Sequence, residues 1–284
     1  MAQSLRHIKN RIRSIESTRK ITRAMQMISI AKLNRIEKPF LALRPYFSGL
    51  EAMLANVLSS SGFVSSPYLE KRQEIKKICL CIVASDSGLC GSYNNNVIHL
   101  AEKFIEEKGI DKVGLVVVGR KALRYFQKQG IGIFDSYTGL NGRYSQKVSD
   151  EIAERLRGLF LSAQADEVYF VYTHFETALL CRPMIKKFLS IELAPSLKRE
   201  YLFEPNIDLI LGELILRYIS MKTGLILFEA FTAEHAARTI AMKSATDNAD
   251  ELLRSQVLVR NKLRQALITE DIMEIISSSE ALKG

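Results

Sequence analysis

The chain has 284 residues, 47% of them hydrophobic and 25% charged, with a formal charge of +9; disorder would need less apolar content and a larger charge excess. No apolar run approaches the roughly 18 to 20 residues of a membrane-spanning helix, and the opening MAQSLRHIKNRIRSIES lacks the apolar centre and small-residue cleavage site of a secretory signal. Four cysteines do not make a disulfide scaffold at this length; Cys79 and Cys81, inside an apolar run, predict reduced, buried thiols.

The first segment carries the charge. Residues 1–44 hold eleven Lys and Arg against two acids, Glu16 and Glu37, which accounts for the whole +9 and leaves the other 240 residues neutral overall. Residues 1–38 contain neither Pro nor Gly. Their apolar positions, Leu5, Ile8, Ile12 and Ile15, then Ile21, Met25 and Ile28, follow the three-and-four spacing of one helix face, with a shift near Thr18 that reads as a skipped heptad step. Residues 59–67 read as the loop where this helix gives way to a domain.

The middle of the chain changes character: eleven of the fifteen glycines lie between Gly62 and Gly158. Strands are expected at residues 78–84, 113–118 and 167–172, and another at 184–191. Helices are expected at 95–108, 121–129 and 145–163. Strands alternating with helices over short loops imply a βαβ arrangement with a mostly parallel sheet. Residues 206–283 are again nearly free of breakers, with only Gly212 and Gly224. Leu252, Val259, Ala266 and Met273 recur every seven residues there, with Leu263 between, as a coiled-coil seam requires. A helix over 206–279 would measure about 110 Å, against about 50 Å for the diameter of a compact chain of this size. It must break or project, and a projecting striped helix needs a partner. The basic N-terminal helix is the natural one, so the two chain ends are expected to form an antiparallel coiled coil.

For chemistry, the best candidate is the loop at residues 85–94, which follows a strand and precedes a helix, where α/β proteins bind phosphates or hold nucleophiles. It lacks the glycine spacing of a dinucleotide site, the pattern of a P-loop and the geometry of a nucleophile elbow, so a tight structural turn stands beside catalysis at Cys90. Cys79, Cys81, Cys90 and His99 make a conceivable ligand set for zinc, but a CxC inside a strand places two core side chains on one face. The basic helix fits nucleic-acid phosphates, an import signal or an acidic protein surface.

Particular residues narrow this. Ser4-Leu5-Arg6-His7-Ile8-Lys9, Thr18-Arg19-Lys20-Ile21-Thr22-Arg23-Ala24-Met25-Gln26-Met27, Glu234-His235-Ala236-Ala237-Arg238, Ala241-Met242-Lys243-Ser244-Ala245-Thr246-Asp247-Asn248-Ala249 and Asn261-Lys262-Leu263-Arg264-Gln265-Ala266 with Ile268-Thr269-Glu270 resemble the gamma subunit of F-type ATP synthases. The likeness spans essentially the whole chain. It departs at Ser87, where an Arg is common, at Ser92-Tyr93, where Gly-Phe is common, and at Ser277-Ser278-Ser279, a place often rich in Gly and Ala.

The resemblance implies an α/β fold: a long antiparallel coiled coil of the N- and C-terminal helices plus a central Rossmann-like domain with a mostly parallel sheet. Its parts are expected at 1–66 (N-terminal coiled-coil helix), 67–205 (α/β domain) and 206–284 (C-terminal coiled-coil helix). It implies a non-catalytic central rotor shaft turning inside a hexamer of alpha and beta subunits, with the epsilon subunit and the membrane ring of c subunits as further partners. No cofactor, metal or nucleic acid is expected, and the place is the cytoplasmic face of the bacterial inner membrane, peripherally. The alternative is a basic coiled-coil nucleic-acid-binding module. By resemblance, Met25, Arg238, Gln265 and Thr269 contact the alpha/beta hexamer.

Overall fold

A computed structural model describes residues 2–60, 66–70, 72, 74–192 and 206–281. In chain order come α1 (Ala2–Ser60), β1 (Ile78–Val83), α2 (Tyr93–Lys108), a short 3-10 turn (Ile110–Lys112), β2 (Val113–Val118), α3 (Arg120–Gln129), β3 (Ile133–Tyr137), α4 (Gln146–Leu161), β4 (Glu167–Phe175), β5 (Cys181–Leu189) and α5 (Ile207–Ala281). The helix ends at Ser60, inside the loop expected at residues 59–67, of which 61–65 lie outside the described residues. The chain divides into two compact units, one of Met1–Ile28 with Thr239–Gly284 and one of Ser29–Arg238.

The larger unit is built on a five-stranded sheet of order β3-β2-β1-β4-β5. β1, β2, β3 and β4 run parallel, and β5 returns antiparallel from β4. Parallel strands need coverage on both faces, and the alternation along β1 divides the core accordingly. Ile78, Leu80 and Ile82 face a layer containing Val97, Ala101 and Phe104 of α2 and Phe126 of α3. Cys79, Cys81 and Val83 face α4 through Ile152, Leu156 and Phe160, and the same layer holds Phe40, Phe47 and Leu54 of α1 and Leu211, Ile215, Tyr218 and Phe231 of α5. The CxC pair is thus two neighbouring core side chains, and burial pushes the Cys79 thiol up to about 12.

Two elements differ from the sequence reading. β3, an edge strand with the sequence IFDSY and only partial burial, reads as loop because Asp135 and Ser136 interrupt any apolar alternation. β5 begins at Cys181, three residues before the expected strand, and carries Pro183; a proline without an N–H is tolerated on an edge strand. α1 also runs through Pro39 and Pro45. A proline inside a helix costs about 3 kcal/mol. Both rings lie on the exposed side, where water reaches the carbonyls they leave unbonded, while Ile36, Phe40 and Phe47 are buried on the other.

The smaller unit pairs the two chain ends. Arg19 binds Asp250 at 2.9 Å and the hydroxyls of Thr246 and Thr22 meet at 2.8 Å. As one number falls the other rises, so the helices are antiparallel. The seam is the expected one only in part: Leu5, Ile8, Ile12, Ile15 and Leu263 do lie inward. On α1 the inward positions are Leu5, Ile8, Ile12, Ile15, Arg19, Thr22 and Gln26, and the same alternation of three and four continues through Ser29, Leu33, Ile36 and Phe40, with no skipped step at Thr18. Ile21 and Ile28, read as seam, are 58% and 57% exposed. On α5 the sheltered series is Met242, Thr246, Ala249, Leu253, Gln256, Arg260, Leu263 and Leu267. Leu252, Val259 and Met273 stand outward, one position off the true heptad. The seam keeps its spacing by accepting polar side chains that bond across it, a device that fixes register at some cost in stability.

One buried charge makes this fold pH-sensitive. Lys222 of α5 is buried and donates to the Tyr218 hydroxyl at 2.8 Å, with its ammonium over the rings of Tyr218 and Phe188. Burial pushes its amine down to about 8, with Lys186 adding to the effect and Glu51 opposing it. An unfolded lysine titrates near 10.4, so from about pH 8 to 10.4 the unfolded chain binds the extra proton and stability rises with pH. Thermal melts across that window are expected to show Lys222→Met as stable as or more stable than the parent at pH 7, its advantage shrinking toward pH 10.4. A pH-independent difference between the two would count against this account.

Candidate partner-contact site

The loop after β1 sits at the carboxyl ends of the parallel strands, the crevice where open α/β sheets bind ligands. Here the chain closes it. The Asn94 side chain accepts from the Ser85 N–H at 3.0 Å and donates to Cys90 Sγ at 3.1 Å, drawing the two ends of the loop together. Asp86 is buried and accepts three backbone N–H groups, from Arg120 and Gly139 at 3.0 Å and Asn141 at 2.7 Å. One carboxylate thereby ties the end of β1 to the start of α3 and to the loop after β3. Gly119 permits the approach: its φ is +100°, and a Cβ there would lie 2.2 Å from the Ala84 carbonyl oxygen.

α5 fills what remains. The Tyr93 hydroxyl donates to the Ala230 carbonyl at 3.0 Å. Arg238 donates through Nε to the Gly88 carbonyl at 3.3 Å and through a terminal nitrogen to the Ser87 carbonyl at 3.2 Å, while pairing with Glu234 at 2.8 Å. A guanidinium therefore stands over the loop where a dinucleotide site would hold its phosphates. His235 donates from Nε2 to the Gly142 carbonyl at 2.9 Å, since a carbonyl only accepts, which leaves Nδ1 facing Arg238 at 3.4 Å as the acceptor. Burial, with Arg238 and Lys32 adding, holds the ring neutral by pushing its pKa down to about 4, against the pull of the Gly142 carbonyl. Burial also raises the Glu234 carboxyl, outweighing the Arg238 charge beside it, and its Oε2 atom has no hydrogen-bond partner.

The thiol-enzyme reading of this loop loses its footing, because Cys90 is 1% exposed and accepts a hydrogen bond from Asn94. The zinc set does not assemble either: the His99 side chain is 84% exposed on α2 while Cys79 and Cys81 lie in the core. Leu89 is a residue that sequence reasoning passed over. It holds a left-handed φ of 63° and is 58% exposed. Its signal was faint, a lone leucine between Gly88 and Cys90.

The four residues marked by resemblance fall into different settings. Met25 is half-buried on α1 of the smaller unit, beside the inward Gln26. Gln265 and Thr269 are exposed on α5, the Thr269 hydroxyl donating to the Gln265 carbonyl at 3.0 Å. From the pairing of Thr22 with Thr246, Met25 lies level with about residue 243, so Gln265 is roughly 22 residues, or about 33 Å, further along the coil. Arg238, expected at a partner or on a solvated face, is buried by its own chain. Toward the end of α5, Ile268, Ile272, Met273, Ile275 and Ile276 are all exposed. Clustered exposed apolar side chains are a mark of interaction surfaces.

Comparison with known proteins follows the same outline. The ATP synthase family model matches residues 4–282. The ATP synthase gamma chain of Protochlamydia amoebophila is 36% identical over 288 residues, covering 99% of each chain. That of Pelotomaculum thermopropionicum is 37% identical over 284 residues, again covering 99% of each. Among solved structures, a chain of the Euglena gracilis mitochondrial ATP synthase (OSCP/F1/c-ring, rotational state 3) has a TM-score of 0.69 at 15% identity, covering 99% of this chain and 95% of that one. A chain of the rotor of the same enzyme has a TM-score of 0.65 at 16% identity, covering 94% of this chain and 100% of that one.

The Glu234–Arg238 pair gives a direct test. Arg238→Ala leaves a buried carboxyl without its partner and the Ser87 and Gly88 carbonyls without their donor, and is expected to cost about 3 kcal/mol in denaturant unfolding. Glu234→Gln combined with Arg238→Met is expected to recover most of that loss. If the single variant unfolds with the parent, the pair does not hold the loop.

Proposed function

This chain belongs to the ATP synthase gamma chain family, and on that premise we propose that it is the central rotor shaft of an F-type ATP synthase, turning inside the alpha/beta hexamer and coupling ion flow to ATP synthesis or hydrolysis on the beta subunits. The observation that carries the reading is the family match over residues 4–282, joined to an antiparallel coil whose α5 carries exposed apolar side chains over residues 268–276. Such a surface suits enclosure by other subunits. The chain does no chemistry itself in this reading: it is the asymmetric part that makes three equivalent catalytic sites differ, and its contacts must differ between their states, or rotation would shift no equilibrium. A two-stranded coil transmits torque better than a single helix, and its bonded polar layers at Arg19–Asp250 and Thr22–Thr246 resist slippage of one strand past the other.

The partners follow: the alpha and beta subunits around the coil, and the epsilon subunit and the membrane ring of c subunits at the α/β domain. Among the described residues no helix is long and apolar enough to cross a membrane, which accords with a peripheral place, on the cytoplasmic face of a bacterial inner membrane. The parts at 1–66, 67–205 and 206–284 serve as shaft strand, base and shaft strand, with α1 from Ser29 on and α5 up to Arg238 packed into the base. Met25, Gln265 and Thr269 are the contacts to the hexamer. Arg238 acts in the same contact at one remove, by holding the loop at residues 85–94 that presents Leu89. Family membership speaks for this reading over the nucleic-acid module.

Reconstitution with alpha and beta subunits is the test. The chain alone is expected to show no ATP turnover, and with the hexamer to form a stable complex whose hydrolysis depends on it. Gln265→Ala with Thr269→Val, both exposed, is expected to leave the melting temperature of the isolated chain unchanged while weakening assembly about tenfold, or 1.4 kcal/mol. Failure of the parent chain to form a complex would end the rotor reading. An unaffected complex in the double variant would end only the assignment of these two residues.

A further inference from the structure

One cavity of the larger unit is used by nothing above. It has a volume of about 320 Å³ and is bordered by Lys32 and Arg35 of α1, Arg143 and Tyr144 of the loop before α4, and Phe228 and His235 of α5. Three cations line it, Lys32 half-buried and both arginines exposed. Among the described residues none of the three has a carboxylate within salt-bridge distance, and Lys32 has one weak hydrogen bond, to the Asn141 carbonyl at 3.5 Å. Like charges gathered around one small space repel, and the nearest acid, the buried Glu234 on which both Lys32 and Arg238 act, is one carboxylate facing several cations.

The rest of the lining narrows what would balance them. The N–H of His235 is spent on the Gly142 carbonyl, so the ring contributes an apolar edge and no charge. Tyr144 and Phe228, both in the lining, stack on each other with their centres 3.7 Å apart and add aromatic surface. Two guanidinium forks and one ammonium exceed what a single carboxylate needs. They match the several oxygens and double charge of a phosphoryl group, which arginine engages bidentately and lysine as a point charge. The volume suits a small molecule, and aromatic surface offers a stacking face to a base. We propose that this cavity binds a phosphoryl group, carried either by inorganic phosphate or by a nucleotide.

The experiment uses the purified full chain with histidine labelled at Cε1, following the His235 resonance, assigned with His235→Gln, during titration with inorganic phosphate, ADP, chloride at matched ionic strength and an Asp/Glu-rich peptide. A saturable shift with phosphate or ADP and none with chloride is expected, weakened at least tenfold by Arg35→Ala with Arg143→Ala. Tighter binding of ADP names the nucleotide as the source; equal or tighter binding of phosphate names the free anion; either supports the site. Should the double variant fail to fold by circular dichroism, Arg35→Gln and Arg143→Gln are measured singly with the same expectation of weakened binding. No saturable shift at millimolar phosphate or ADP, a shift that chloride reproduces, unchanged affinity in the variants, or binding of the acidic peptide alone each overturns the proposal. Assembly with alpha and beta subunits does not bear on it, so a chain that assembles and binds no phosphate loses this site and keeps its proposed role.

Discussion

The face of the sheet bearing Cys79, Cys81 and Val83 cannot be left to water, and the chain covers it with its own two ends. Phe40, Phe47 and Leu54 from the first helix and Leu211, Ile215, Tyr218 and Phe231 from the last enter the same core as α4. The stacking of Phe47 on Tyr218 at 5.4 Å brings residues from opposite ends of the chain into one contact. Apolar burial at about 25 cal/mol per Å² makes this shared layer the strongest constraint in the larger unit. It explains why α1 tolerates two prolines and why α5 runs across the carboxyl ends of the strands. The closed crevice is a consequence: once α5 is seated there, Tyr93, Arg238 and His235 occupy the space that related sheets give to a ligand.

The sheet was legible because its strands alternate with helices and are strongly apolar. β1, β2 and β4 appear where their Val, Ile and Phe runs predict, and the coil was legible from the absence of Pro and Gly at both ends. What was not legible is the register of that coil. Reading the seam as the most apolar stripe selects Ile21 and Ile28 on one helix and Leu252, Val259 and Met273 on the other, all of which face outward. The inward series contains Arg19, Thr22, Gln26, Gln256 and Arg260, whose polarity hides it. The heptad rule assumes that the most apolar face belongs to the partner helix. It misleads in a chain whose outer faces carry apolar side chains as well.

The site residues divide in the same way. Gln265 and Thr269 carry no local signal on an exposed helix and were reached only through resemblance. Arg238 was reached that way too, but its pairing with Glu234 four residues back follows from helix geometry alone. Its hydrogen bonds to Ser87 and Gly88 cross 150 residues of sequence, which no local pattern encodes. Asp86 belongs to the same class: three backbone donors converge on it from two loops, so its role is set by topology rather than by its neighbours. The basic charge of the N-terminal helix is likewise divided, with Arg19 spent inside the coil on Asp250 and Lys32 and Arg35 beside a cavity, with no ion pair within 4 Å among the described residues.

Because the last helix completes the core, the order of synthesis matters. A ribosome releases Phe40, Phe47 and Leu54 long before Leu211 to Phe231. The roughly 150 intervening residues take about 8 to 30 s at 5 to 20 residues per second. During that interval the sheet face carries α4 and the first helix but lacks the side chains that α5 adds to the same layer. A chain cut before Leu211 therefore has an open core rather than being a shorter version of the same molecule, because Leu211, Ile215, Tyr218 and Phe231 complete that layer.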